Sequence, residues 1–76
     1  MRSAILALAV LAACSNPVID AETVKSEAVL HGTPHQICAA SRKLAQAYEA
    51  AQRYLEAEVE TGNADELCQI ARRARS

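Results

Sequence analysis

Thr33-Pro34-His35-Gln36-Ile37-Cys38-Ala39-Ala40 opens the stretch that decides the fold. Thr33 is a good N-cap, Pro34 fits the first helical position, and Gln36, three residues after Thr33, completes a capping box. Behind this start, Ile37, Leu44, Tyr48, Ala51, Leu55 and Val59 recur at spacings of seven, four, three, four and four. At about 100° per residue these positions fall on one narrow stripe. Neither Pro nor Gly occurs between Pro34 and Gly62. The pattern predicts one long helix from Pro34 to Thr61.

Downstream, Gly62 suits a helix stop, and Asn63-Ala64-Asp65-Glu66 repeats the start logic with Asn63 as cap. Leu67, Ile70, Ala71 and Ala74 then form the stripe of a short second helix. The brief Gly62-Asn63 connection makes the two helices antiparallel neighbours, a helical hairpin over residues 33–76. Upstream, Ser15 to Asp20 reads as a tether, although Pro17 also fits a first helical position. Asp20 to His31 is a further helix candidate, capped by Asp20 and stopped by Gly32, with Val24, Ala28, Val29 and Leu30 as its apolar positions. The expected class is all-α: a long helix followed by a short one, with a preceding helix.

The chain has 76 residues, no Trp, no Phe and two Tyr, so any core is small and built without large aromatics. A net charge of −1 gives no case for nucleic-acid binding. The charges are nevertheless segregated. Glu49, Glu56, Glu58, Glu60, Asp65 and Glu66 face only Arg53 within their stretch, while Arg72, Arg73 and Arg75 gather at the end. The acidic run reads as a solvated helix face, and the arginines complement the last turn of a helix. The sharper alternative for the arginines is a basic tip that touches anionic lipid or a partner.

At the start, Met1-Arg2 precedes an unbroken apolar run from Ala4 to Ala13. This is the layout of a secretory signal peptide, and the run is shorter than the roughly 20 apolar residues a bilayer span needs. Leu11-Ala12-Ala13-Cys14 resembles the lipobox of bacterial lipoproteins. The resemblance implies a diacylglyceryl group on the Cys14 thiol, cleavage between Ala13 and Cys14, and fatty acylation of the new amine. Two or more acyl chains anchor stably where one does not. In Gram-negative members, Ser15 in place of Asp implies sorting to the outer membrane, facing the periplasm. The plainer alternative is an ordinary cleaved signal with an incidental Cys14. The chain thus divides into a signal peptide (1–13), a tether with a helix (14–32) and a helical hairpin (33–76).

Cys38 and Cys68 remain, and an even pair in an oxidising compartment suggests a disulfide. The predicted hairpin opposes this. It places Cys68 beside roughly residue 58, about 30 Å along the long helix from Cys38 at about 1.5 Å per residue. A disulfide needs Cα atoms within about 7 Å. Either the long helix breaks near its middle, or the cysteines pair between two chains in a homodimer, or one or both stay free or bond another protein. His31, His35, Cys38 and Cys68 are residue types that ligate metals, but Gly32-Thr33-Pro34 separates His31 from the helix and the spacing matches no recognised zinc pattern. The reading is two solvent-exposed histidines, with no metal and no cofactor. No nucleophile triad, phosphate loop or converging carboxylate pair occurs; Glu56, Glu58 and Glu60 splay around a helix. Catalysis is not expected.

The overall layout resembles the small entry-exclusion lipoproteins of conjugative plasmids: a lipobox, a short helical mature region, two further cysteines, and a last cysteine followed by alanines. Here that ending reads Cys68-Gln69-Ile70-Ala71-Arg72-Arg73-Ala74, with Ile70 where the family commonly has Asn. The resemblance implies an interaction module that recognises an envelope or conjugation-system protein and blocks redundant DNA transfer. The alternative is a structural envelope tether like the small murein lipoprotein, which calls for a sustained heptad repeat and a C-terminal Lys. This chain ends Arg75-Ser76. A membrane-active lysis peptide is disfavoured by the acidic long helix.

Overall fold

The computed structural model describes residues 16–75, and these form three helices with no strand among them: α1 (Pro17–His31), α2 (Pro34–Ala50) and α3 (Tyr54–Arg75). The expected signal peptide (1–13) and Cys14, the expected lipidation site, lie outside the described residues. The all-α class holds, but the helix boundaries differ from those expected.

α1 starts earlier than Asp20. Asn16 is its cap, with its side-chain oxygen accepting from the Val18 N–H at 2.9 Å, and Pro17 occupies the first turn. The earlier start places Val18 on the inner face, where it is buried. α1 ends as expected at Gly32, whose N–H donates to the Ala28 carbonyl at 2.7 Å. Gly32 is needed for space rather than for a left-handed turn. Its backbone is extended, and a Cβ there would sit 2.7 Å from the Ala28 oxygen and 2.8 Å from Gln36 Oε1. That same Gln36 oxygen accepts from the Thr33 N–H, while Thr33 Oγ1 accepts from the Gln36 N–H at 3.2 Å. The predicted capping box is therefore present at the start of α2.

The predicted helix Pro34–Thr61 does not continue unbroken. It stops at Ala50, and Ala51-Gln52-Arg53 turn the chain back. Gln52 adopts φ 62°, its N–H donates to the Glu49 carbonyl at 2.9 Å, and the Arg53 N–H donates to the Tyr48 carbonyl at 2.8 Å. These two bonds make a Schellman cap, a stop that usually carries Gly at the left-handed position. Gln in that place conceals the stop from a search for breakers. The Arg53 carbonyl then accepts from the Ala57 N–H at 2.9 Å, so one residue ends the turn and starts α3.

Gly62 and Asn63, expected to end one helix and start another, lie inside α3. A mid-helix Gly costs about 1 kcal/mol relative to Ala, too little to break a helix packed along its whole length. α3 is consequently the longest of the described helices, not a short terminal one.

α1 packs on α2 and α2 packs on α3, so α2 is the middle helix. The buried apolar residues are Val18, Ala40, Leu44, Ala57, Ala64, Cys68 and Ala71. Most are small, which lets the helices approach closely but removes little apolar surface from water. Of the large side chains expected on the stripe, Leu44 is buried and Ile37, Tyr48 and Leu67 half-buried, but others on α3 lie outside. Leu55 is 82% exposed and Val59 66% exposed, and Ile70 and Ala74 are exposed as well. The break at Ala51–Arg53 shifts the helical phase, so the inner face of α3 is Ala57, Glu60, Ala64, Cys68 and Ala71.

Candidate functional site

The turn after α2 also resolves the cysteine geometry. With the chain reversed at Gln52, Cys68 returns to the start of α2, and Cys38 and Cys68 form a disulfide with Cα atoms 4.7 Å apart. The break near the middle of the long helix is the way out that the molecule takes. Cys68 is buried and Cys38 half-buried. The bond closes a loop with a sequence separation of 30 and ties the first turns of α2 to the last turns of α3.

His31 and His35 are exposed on either side of the α1–α2 junction. Cys38 is oxidised and cannot serve as a thiolate ligand. Among the described residues, no group of three or more His, Cys, Asp or Glu side chains is placed to hold a metal ion.

Glu60 corrects the reading of a uniformly solvated acidic face. It is 6% exposed and stands at the centre of the three helices. Lys25 of α1 donates to Glu60 Oε2 at 2.5 Å, the Ser41 hydroxyl of α2 donates to the same oxygen, and Asn63 of α3 donates to Oε1 at 3.5 Å. Ser41 is fully buried. Burial pushes the Glu60 carboxyl upward, but the hydrogen bonds from Lys25 and Ser41 and the Lys25 charge outweigh it, and the net shift is downward. Every buried side-chain nitrogen and oxygen among the described residues has a partner. The cluster is thus a junction in which each buried polar side-chain atom has a partner. The sequence carries one signal of it: Glu60 lies three residues after Ala57 and four before Ala64, on the small-residue face.

A second polar link joins α1 and α2 nearer the turn. The Tyr48 hydroxyl donates to Glu22 at 2.8 Å, and this bond, with burial adding, raises the Tyr48 hydroxyl above its ordinary range. Arg53 stacks over the Tyr48 ring at 5.0 Å and donates to Glu56 through Nε at 2.7 Å. The Lys25–Glu60 pair lines an open groove of about 720 Å³ together with Val29 and Leu30 of α1 and Leu44 and Tyr48 of α2. A separate, smaller pocket of about 240 Å³ shares Tyr48 and Glu60 with it and is otherwise lined by Leu55, Glu56 and Val59. Leu30, Val29, Val24 and Ile19 are all more than half exposed along α1. No described helix is long and apolar enough to cross a membrane.

Comparison with known proteins finds no matching family model, no matching curated protein and no matching solved structure.

Proposed function

We propose that the chain is a small lipid-anchored protein of the bacterial cell envelope whose helical domain acts as an interaction module. The observation that carries the binding role is the inversion of side-chain size. Ile19, Val24, Val29, Leu30, Leu55, Val59 and Ile70 face outward, while most of the buried apolar residues are small. The run of Ile19, Val24, Val29 and Leu30 along α1, each more than half exposed, is a surface of the kind that a partner covers. The anchor is carried by the lipobox resemblance at Leu11-Ala12-Ala13-Cys14, with Cys14 as the lipidated residue and the outer membrane, periplasmic side, as the location. The Cys38–Cys68 bond suits such an oxidising compartment. In its specific form, taken from the resemblance to entry-exclusion lipoproteins, the partner is a component of a conjugation system, and the role is binding rather than catalysis.

Conjugation into recipient cells that make the protein tests this form. The expected result is a lowered transfer frequency from one donor type, restored by Cys14→Ser and by Leu30→Lys. Unchanged transfer from every related donor overturns the conjugation role. Retention of the Cys14→Ser protein in the membrane fraction overturns the anchor.

A further inference from the structure

We propose that α1 is a detachable arm: it leaves the α2–α3 hairpin as a unit, swinging on Gly32-Thr33, while the hairpin stays folded. How little of α1 is buried is the first reason. Val18 is its one buried residue, and Ala21, Lys25 and Ala28 complete its inner face half-buried. Alanines remove little apolar surface from water. Ile19, Val24, Val29 and Leu30, the large apolar residues of this helix, are more than half exposed and do not hold it down.

The second reason is how α1 is fastened. It packs on α2 and not on α3. Lys25 reaches Glu60 of α3 across the open groove that Val29, Leu30 and Leu44 line, and Tyr48 donates to Glu22. The Tyr48–Glu22 bond is exposed, so water competes for both groups and the net gain is small. When the whole of α1 leaves, water replaces Lys25 at Glu60. The carboxylate is then solvated, not stranded as it is when Lys25 alone is lost.

The third reason is that the hairpin is closed at both ends without α1. The Schellman turn joins α2 to α3 at one end and the Cys38–Cys68 bond joins them at the other. Ala57, Ala64, Cys68 and Ala71 of α3 are buried, and α2 is the helix that α3 packs on, so their burial outlasts the departure of α1. Gly32 and Thr33 lie outside both flanking helices and take up the change in backbone angles. A freed α1 has 15 residues, a length at which an isolated helix is marginal in water, so it unravels.

The consequence for function rests on the Cys14 anchor proposed above. Docked, α1 keeps the hairpin beside the lipid. Undocked, residues 15–32 become a tether spanning up to about 60 Å at full extension, and the hairpin reaches partners away from the bilayer.

Residue-resolved hydrogen exchange at neutral pH, on protein purified from cells that make the full chain, tests the arm. The amides of Val24 to Ala28 in α1 are expected to exchange through one common opening, at least about tenfold more frequent than the opening that frees Leu44 of α2 and Leu67 of α3. Val18→Ala is expected to speed the α1 amides about tenfold further and to leave Leu44 and Leu67 unchanged. Equal protection in α1 and the hairpin, α1 amides that open independently of one another, or a Val18→Ala chain in which all three helices speed up together each overturns the proposal. The comparison does not involve Cys14, so failure of the arm is distinguished from failure of the anchor, which membrane partitioning of Cys14→Ser reads.

Discussion

Glu60 is the residue on which the three helices converge. Burying a carboxylate is costly unless charge and hydrogen bonds compensate, and here Lys25, Ser41 and Asn63 do so from three directions. Removing one partner leaves the remaining charge poorly solvated. Lys25→Met is therefore expected to lower stability by about 1–3 kcal/mol at neutral pH, read from urea denaturation. The folded carboxyl titrates below its ordinary range, so the stabilisation is whole above the unfolded value of about 4.3 and disappears as pH falls through the lowered folded value. The gap between wild type and Lys25→Met should accordingly close in acid. A gap that persists or widens at low pH contradicts the assignment of Glu60 as a buried anion. Sequence reading grouped Glu60 with Glu56 and Glu58, because charge alone does not reveal which member of an acidic run faces inward.

The elements divide by how openly their ends are encoded. The start of α2 was readable because Thr33, Pro34 and Gln36 each carry a local signal of known geometry. The end of α2 was not, because its Schellman cap places Gln52 where Gly is expected. The stop is instead supported by Arg53, whose guanidinium stacks on Tyr48 and binds Glu56 across the turn. A side-chain residue at φ 62° carries a cost that glycine avoids. Gln52→Gly is expected to raise stability by about 0.5–1 kcal/mol, and Gln52→Val to lower it, as read by thermal denaturation. Destabilisation by the glycine would mean that the turn is held by the Gln52 side chain rather than by the cap. Gly62 misled in the opposite sense: it resembles a stop but lies within a helix held by packing on both sides of it. With the turn hidden, an unbroken periodicity carries the wrong phase into α3 and puts Leu55 and Val59 on its inner face, whereas both are exposed.

At the scale of the molecule, a short chain with few large buried side chains is held by a close fit of alanines, one buried ionic junction and one disulfide. A closed loop of this length stabilises by about 3–4 kcal/mol in the chain-entropy account, a large part of what so small a domain has. The all-α class and the pairing of Cys38 with Cys68 as one option were legible from composition and cysteine count. The choice among the options was not, because it depended on the concealed turn. The large residues left outside are what the proposed binding role uses, and the proposed lipid at Cys14 is what would set where they act. Intact-mass spectrometry of the protein extracted from membranes without reductant addresses that placement directly. The account predicts a chain beginning at Cys14, heavier by its fatty acyl groups and lighter by the two hydrogens of the Cys38–Cys68 bond. A free thiol at Cys14, or a chain that still carries residues 1–13, would contradict it.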